Sequence, residues 1–261
     1  MHPERSHRAI SADGTEVAGR VHGDGLPLVL VHGGLEDGEL SWSALRPQLT
    51  DRYSCCTVST RGRDLSGQHP DHTFPRLVED VVAYADSLGA PVGPVGHSSG
   101  AGLALAAAAQ ASAMTAVAAY EPAVPAAINE DDVARIGAGM ERLAEAAGQH
   151  RHADAARILF EVSPIATDDE VPAMAVLGQF EAMARYVPIT LQELGQAAAS
   201  QQPDSSDPAV LGRIAAPVLR LHGTATGAAH FGPLLAPEAV ATEPLRFFHR
   251  AEQHPADAGP A

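Results

Sequence analysis

Lysine is absent from this 261-residue chain. Its 17 basic residues other than histidine are all arginine, set against 32 acidic ones, for a formal net charge of −15. So acidic a surface repels phosphate backbones and anionic lipid, which argues against nucleic acid and membrane as partners. Aromatic residues are scarce, at 4%, so a core must rest on Ala, Val and Leu. Cysteine is confined to the neighbours Cys55 and Cys56. Strand neighbours point to opposite faces, so these two are not expected to bridge. Both are expected to be reduced, which points to a cytoplasmic compartment. The Ala-rich run at 101–109 is too short to cross a membrane, and residues 1–7 lack the apolar run of a signal peptide. No internal repeat is present. No His, Cys or acidic cluster has zinc or iron spacing, and no phosphate-cradling glycine loop follows a strand, so neither metal nor cofactor is expected.

What is present alternates. Ala9 to His22 reads as two strands joined at Asp13-Gly14. Apolar runs of strand length follow at Leu26–Val31, Tyr53–Ser59, Val92–Val95, Thr115–Tyr120 and Pro217–Leu221. Between them, 42–49 reads as a short helix. Residues 74–88 have helical spacing, with Leu77, Val78, Val81, Val82 and Ala85 on one face, and a further helix runs from Ala101. Buried strands alternating with helices predict a mainly parallel α/β sheet with helices on both faces. Residues 123–209 break the alternation. They are rich in Ala, Glu and Met, helical in pattern and interrupted by proline. The expected organisation is a core of 1–122 and 210–261 with a helical cap of 123–209. The last residues, 251–261, are expected to fray.

The chemistry concentrates at Gly96-His97-Ser98-Ser99-Gly100, a G-x-S-x-G between an apolar strand and an Ala-rich helix. In that context the serine occupies a sharp turn, small residues on either side avoid a clash, and the helix N-terminus favours developing negative charge. Ser98 is thus the candidate nucleophile. His32-Gly33-Gly34 ends the first core strand. Its glycines let backbone N–H groups point at an oxyanion, with Gly34 and Ser99 as the candidate donors. Glu36 and Asp37 beside that loop are candidate substrate contacts, or else solvated loop residues. Arg61 and Asp64 are expected to pair with each other, and His97 to pack or hydrogen-bond rather than react.

Over nearly its whole length the chain resembles the α/β-hydrolase family. The resemblance rests on VLVHGG at 29–34, RGRDLSG at 61–67, VGHSSGAGLALAAA at 95–108, YEP at 120–122, PVLRLHG at 217–223 and GAAHFGPLLAPEAVATEPLRFF at 227–248. It implies a serine esterase-like fold and a Ser-His-acid triad, with an apparent shortening between the last strand motif and the histidine segment. Two histidines compete for the base. His230 lies in the segment that resembles the family's catalytic histidine. His254 has the more usual spacing from His222-Gly223, and would make 245–249 the last strand. The motif match favours His230. Where many relatives carry an Asp after that strand, this chain has Gly223-Thr224-Ala225-Thr226-Gly227, with no carboxylate. Glu121, after the strand that follows the nucleophile helix, is the expected replacement.

The expected activity is hydrolysis or transfer of an acyl group from a small ester, thioester or lactone by Ser98, His230 and Glu121. The alternatives are a binding protein that kept the fold and lost turnover, and a C–C hydrolase or cofactor-free haloperoxidase-like enzyme. A nucleophilic Asp is excluded, because position 98 is Ser. The expected partner is a small acyl substrate; oligomeric state is not legible from the sequence.

Overall fold

The computed structural model describes residues 5–122, 130–163, 165–200, 207–223 and 229–253. Seven strands form one sheet: β1 (Arg5–Ile10), β2 (Glu16–His22), β3 (Leu26–Val31), β4 (Tyr53–Ser59), β5 (Gly93–His97), β6 (Val117–Tyr120) and β7 (Val218–Leu221). Their order is β1-β2-β4-β3-β5-β6-β7. β1 and β2 pair antiparallel, as do β2 and β4, and every remaining pairing is parallel.

Alternation along the strands builds two apolar layers. Leu28 and Leu30 of β3 join Trp42, Leu45, Tyr53 and Phe248 on one face. Val29 and Val31 join Val78, Val81, Leu105 and Val117 on the other. Cys55 and Cys56 divide in the same way, one to each face, and both are free thiols. Helices α2 (Phe74–Ser87) and α3 (Ser99–Ala108) cover the valine face. On α2, Tyr84 takes a buried place and Val82 is only half-buried.

Two local expectations give way to polar interactions that hydropathy does not report. Where one helix over 42–49 was expected, α1 runs Gly38–Trp42 and a separate 3-10 turn spans Arg46–Gln48. The start of α1 is set by Asp37, whose carboxylate accepts from the N–H groups of Glu39 and Leu40 at 2.8 and 2.7 Å. Pro47, without an N–H, suits the separate turn. Arg61 and Asp64 do not pair with each other. Arg61 is fully buried and takes Asp80 through Nε (2.9 Å) and Nη2 (2.6 Å), and Asp13 through Nη1 (2.6 Å). A guanidinium out of water needs that many acceptors. Asp64 pairs with Arg20.

Between β6 and β7 the described chain is helical: α4 (Glu130–Gly148), α5 (His152–Val162), α6 (Glu170–Val176), α7 (Gln179–Met183), α8 (Val187–Ala199) and α9 (Pro208–Leu211). These helices enclose a third apolar cluster that includes Leu143, Met174, Phe180 and Met183 and takes in Leu35 and Phe231 from the two sides of the core. After β7 come α10 (Gly232–Leu235) and α11 (Pro237–Gln253). Residues 245–249 therefore lie in a helix, not a strand, and Phe248 seals the leucine face against Tyr53 with ring centroids 6.3 Å apart. His254 and Thr226 lie outside the described residues, as does the tail beyond 253.

Candidate active site

Ser98 stands at the turn from β5 into α3, as the N-cap of α3, with φ 54° and ψ −122°. That is a rare conformation for a residue with a Cβ, and it is held by packing on both sides. A Cβ on Gly96 would lie 2.3 Å from the Gly100 carbonyl oxygen, and one on Gly100 would lie 2.2 Å from the His32 oxygen. Only glycine at both positions lets the start of α3 press this closely on the ends of β3 and β5. The Ser98 N–H donates to the Tyr120 oxygen at 3.0 Å, which ties the turn to β6.

The glycine loop after β3 lies against this turn. A Cβ on Gly33 would sit 3.7 Å from Ser98 Cβ, and one on Gly34 would sit 3.6 Å from Ser99 Oγ. The N–H groups of Gly34 and Ser99 make no hydrogen bond among the described residues. His32 braces the loop: its Nδ1–H donates to the Gly33 carbonyl at 2.7 Å while Nε2 accepts from the Thr60 N–H at 3.1 Å. Burial, and then the charge of Arg63, push the His32 imidazole down to about 4. The Gly34 carbonyl takes Arg63 Nη2 and the Thr190 hydroxyl, each at 2.6 Å. Arg63 in turn pairs with Glu193 of α8. Burial opposes the Glu193 charge, yet the adjacent guanidinium carries that carboxyl down to about 2. Arg63 and its helical partners went unremarked in the sequence, and only the RGRDLSG stretch pointed towards them.

Neither Glu36 nor Asp37 is solvated. Asp37 caps α1 and also takes the Tyr186 hydroxyl and Arg185 from the helical segment inserted between β6 and β7. Glu36 accepts from the Ser41 hydroxyl at 2.6 Å and lies 3.6 Å from His97 Nδ1. Burial works to raise the Glu36 carboxyl, but the neighbouring His97 and the hydrogen bond from Ser41 bring it below the ordinary glutamate value.

His230 is buried near His97, with ring centroids 4.9 Å apart. Burial first, and then His97, push its imidazole down to about 2. Its Nδ1 has no hydrogen-bond partner among the described residues. Glu121, at φ 46° just after β6, directs its carboxylate to the Gly223 N–H instead. The structure thus gathers Ser98, Ser99, Gly33 and Gly34, and brings His230 up beside His97. It records no hydrogen bond from His230 to Ser98 or to Glu121.

A cavity of about 230 Å³ opens at the glycine loop. Its lining includes Gly34, Ser99, Arg63, Thr190 and Glu193 as well as the apolar Phe74, Leu77, Leu103, Leu194 and Ala197. No group of three or more potential metal ligands occurs among the described residues. None of their helices is long and apolar enough to cross a membrane.

The sequence matches the α/β hydrolase family over residues 28–247. The chain belongs to that family. Among solved structures it is similar to an α/β hydrolase from Sphaerobacter thermophilus DSM 20745, with 26% identity, a TM-score of 0.70, and 93% of this chain and 100% of that one covered. It is also similar to Lip1 of Acinetobacter baumannii AYE, assigned as a lipase, at 17% identity and a TM-score of 0.69, covering 96% and 93%. The epoxide hydrolase CorEH follows at 15% identity and a TM-score of 0.57, covering 95% and 99%. The last two likenesses concern the fold alone. No curated protein matches the sequence.

Proposed function

We propose that this α/β hydrolase is a serine enzyme that cleaves, or passes on, the acyl group of a small ester, thioester or lactone. The observation that carries the reading is Ser98 itself, a strained N-cap serine beside two backbone donors that are unpaired among the described residues. Strain of this kind costs roughly 1–3 kcal/mol and is characteristic of functional positions. Ser98 Oγ attacks the carbonyl carbon, and the N–H groups of Gly34 and Ser99 receive the oxyanion. His230 takes the Ser98 proton and returns it to the leaving oxygen or sulfur. Water, activated in the same way, then releases the acid. Glu121 is the carboxylate we assign to His230 Nδ1. It follows β6, one residue after Tyr120, whose hydroxyl holds the Ala229 carbonyl. Pairing requires its side chain to give up the Gly223 N–H. The helices between β6 and β7 act in this reading as the cap, and the apolar lining of the cavity receives the acyl chain. A cavity of 150 Å³ holds benzene, so this one holds about nine carbon-sized atoms.

One observation supports a second reading, a binding protein with an idle serine: the buried Nδ1 of His230 has no partner among the described residues while Glu121 is engaged elsewhere. A fluorophosphonate separates the two. Under the enzyme reading it forms an adduct mapped by mass spectrometry to Ser98, and nitrophenyl esters of rising chain length peak in kcat/KM near about eight to nine carbons. A folded protein that forms no adduct at Ser98 and turns over no ester has the binding role.

A further inference from the structure

We infer that His230 is positioned by a three-point side-chain clamp on the backbone of residues 229–231, and that one of the three points, Glu170, belongs to the helical insertion. Seating the insertion on the core and placing the base are then one event. The inference rests on the reading of His230 as the base.

His230 sits on neither a strand nor a helix. β7 ends at Leu221 and α10 begins at Gly232. What holds it is a set of hydrogen bonds to three consecutive residues. The Tyr120 hydroxyl, at the end of β6, donates to the Ala229 carbonyl at 2.6 Å. His97 Nε2, at the end of β5, donates to the His230 carbonyl at 2.9 Å. The Phe231 N–H donates to Glu170 Oε1, at the start of α6, at 2.6 Å. All three gripping side chains belong to buried residues, so water competes little for these bonds.

Two of the grips have polar neighbours of their own. His97 has Glu36 at 3.6 Å from Nδ1, and Glu36 is fixed by Ser41. Glu170 Oε2 accepts from the Thr167 N–H at 3.0 Å. Phe231, 1% exposed, is part of the insertion's own apolar cluster and meets Phe160 edge-on, with centroids 4.7 Å apart. The residue after the base is therefore packed as a core residue of the insertion. Lifting the insertion withdraws Phe231, frees its N–H and releases one of the three grips on His230.

Tyr120, His97 and Glu170 are positioning residues in this account. The test uses the full chain and two independent readouts: hydrogen exchange at the Phe231 amide, and kcat against KM for a nitrophenyl ester. Glu170→Ala is expected to lower kcat about 30-fold with KM little changed, as misplacement of a catalytic group does. Its Phe231 amide is expected to exchange at least about tenfold faster, having lost its acceptor. Glu170→Gln keeps an oxygen that accepts from Phe231, and is expected to retain both the protection and the turnover. Tyr120→Phe removes one hydroxyl without changing shape. It is expected to lower kcat about tenfold, and it keeps the test open if Glu170→Ala fails to fold.

Wild-type exchange and turnover in Glu170→Ala would overturn the clamp. A Glu170→Gln variant as impaired as Glu170→Ala, but with its amide still protected, would overturn positioning in favour of a role for the Glu170 charge. Full turnover in His230→Ala would overturn the reading of His230 as base, while the exchange data would still decide whether the grip exists.

Discussion

The two halves of the candidate site are built by different means. The nucleophile half is made of backbone. Ser98, Gly96, Gly100 and the glycine loop are held by sheet pairing and by approaches so close that no side chain fits between them. The half that carries the proposed base is made of side chains. His230 lies between elements, and residues from β5, β6 and the insertion grip it. A backbone-built site is rigid and tolerates little substitution. A side-chain-built site can be loosened one contact at a time, and its geometry depends on whatever carries those side chains.

Four experiments press on that contrast. The largest effect is expected from Ser98→Ala, which should reduce ester turnover by about 10⁴-fold or more with the thermal midpoint nearly unchanged. Residual turnover close to wild type would remove Ser98 from the chemistry. Next is Glu121→Gln. If its carboxylate orients His230 during the reaction, kcat falls about 10³-fold. A neutral result would show that the Gly223 contact is its whole role. Gly100→Ala tests the backbone half through stability. Its Cβ would lie 2.2 Å from the His32 oxygen, and denaturant melts should show a loss of about 3 kcal/mol, within the range of overpacking. A loss below about 1 kcal/mol would mean that the start of α3 can shift.

The fourth experiment concerns acid. His32 and His230 have folded values near about 4 and about 2, against 6.5 for a free histidine. The unfolded chain binds protons on both below pH 6.5, while the folded chain does not. Stability is therefore present above that pH and declines as pH falls towards the folded values. The slope is about 1.4 kcal/mol per pH unit for each histidine. Urea melts at stepped pH should give this slope, and His230→Gln should remove roughly half of it. An unaltered slope in that variant would mean that His230 titrates as an exposed histidine.

The same contrast decides what was legible in the sequence. β3 and β4 lie where their apolar runs end, and the Ser98 turn follows from five consecutive residues. Those signals are local, and so is the physics behind them. Glu170 carries no such signal. Its role depends on a helix meeting Phe231 from 61 positions away. Arg61 was paired with the wrong carboxylate for a similar reason: Asp80 comes to it from α2, whereas Asp64 is merely near in sequence. β5 continued through Gly96 and His97, beyond its apolar run, because strand pairing with β6 extends to His97. The preference for His230 over His254 drew on local matching. The helix at Pro237–Gln253 replaces the strand at 245–249 that the His254 alternative required.

The division of Cys55 and Cys56 between the two sheet faces has a practical consequence. Burial raises both thiols, to about 12 and about 11, so neither offers an appreciable thiolate to an alkylating reagent while the fold is closed. Cys55 lies under the layer of Trp42, Tyr53 and Phe248, and Cys56 under α2 and α3. A brief pulse of iodoacetamide therefore marks only opened molecules, and which sulfur carries the carbamidomethyl group reports which layer peeled first. The chain contains its own pair of chemical clocks, one for each side of the sheet.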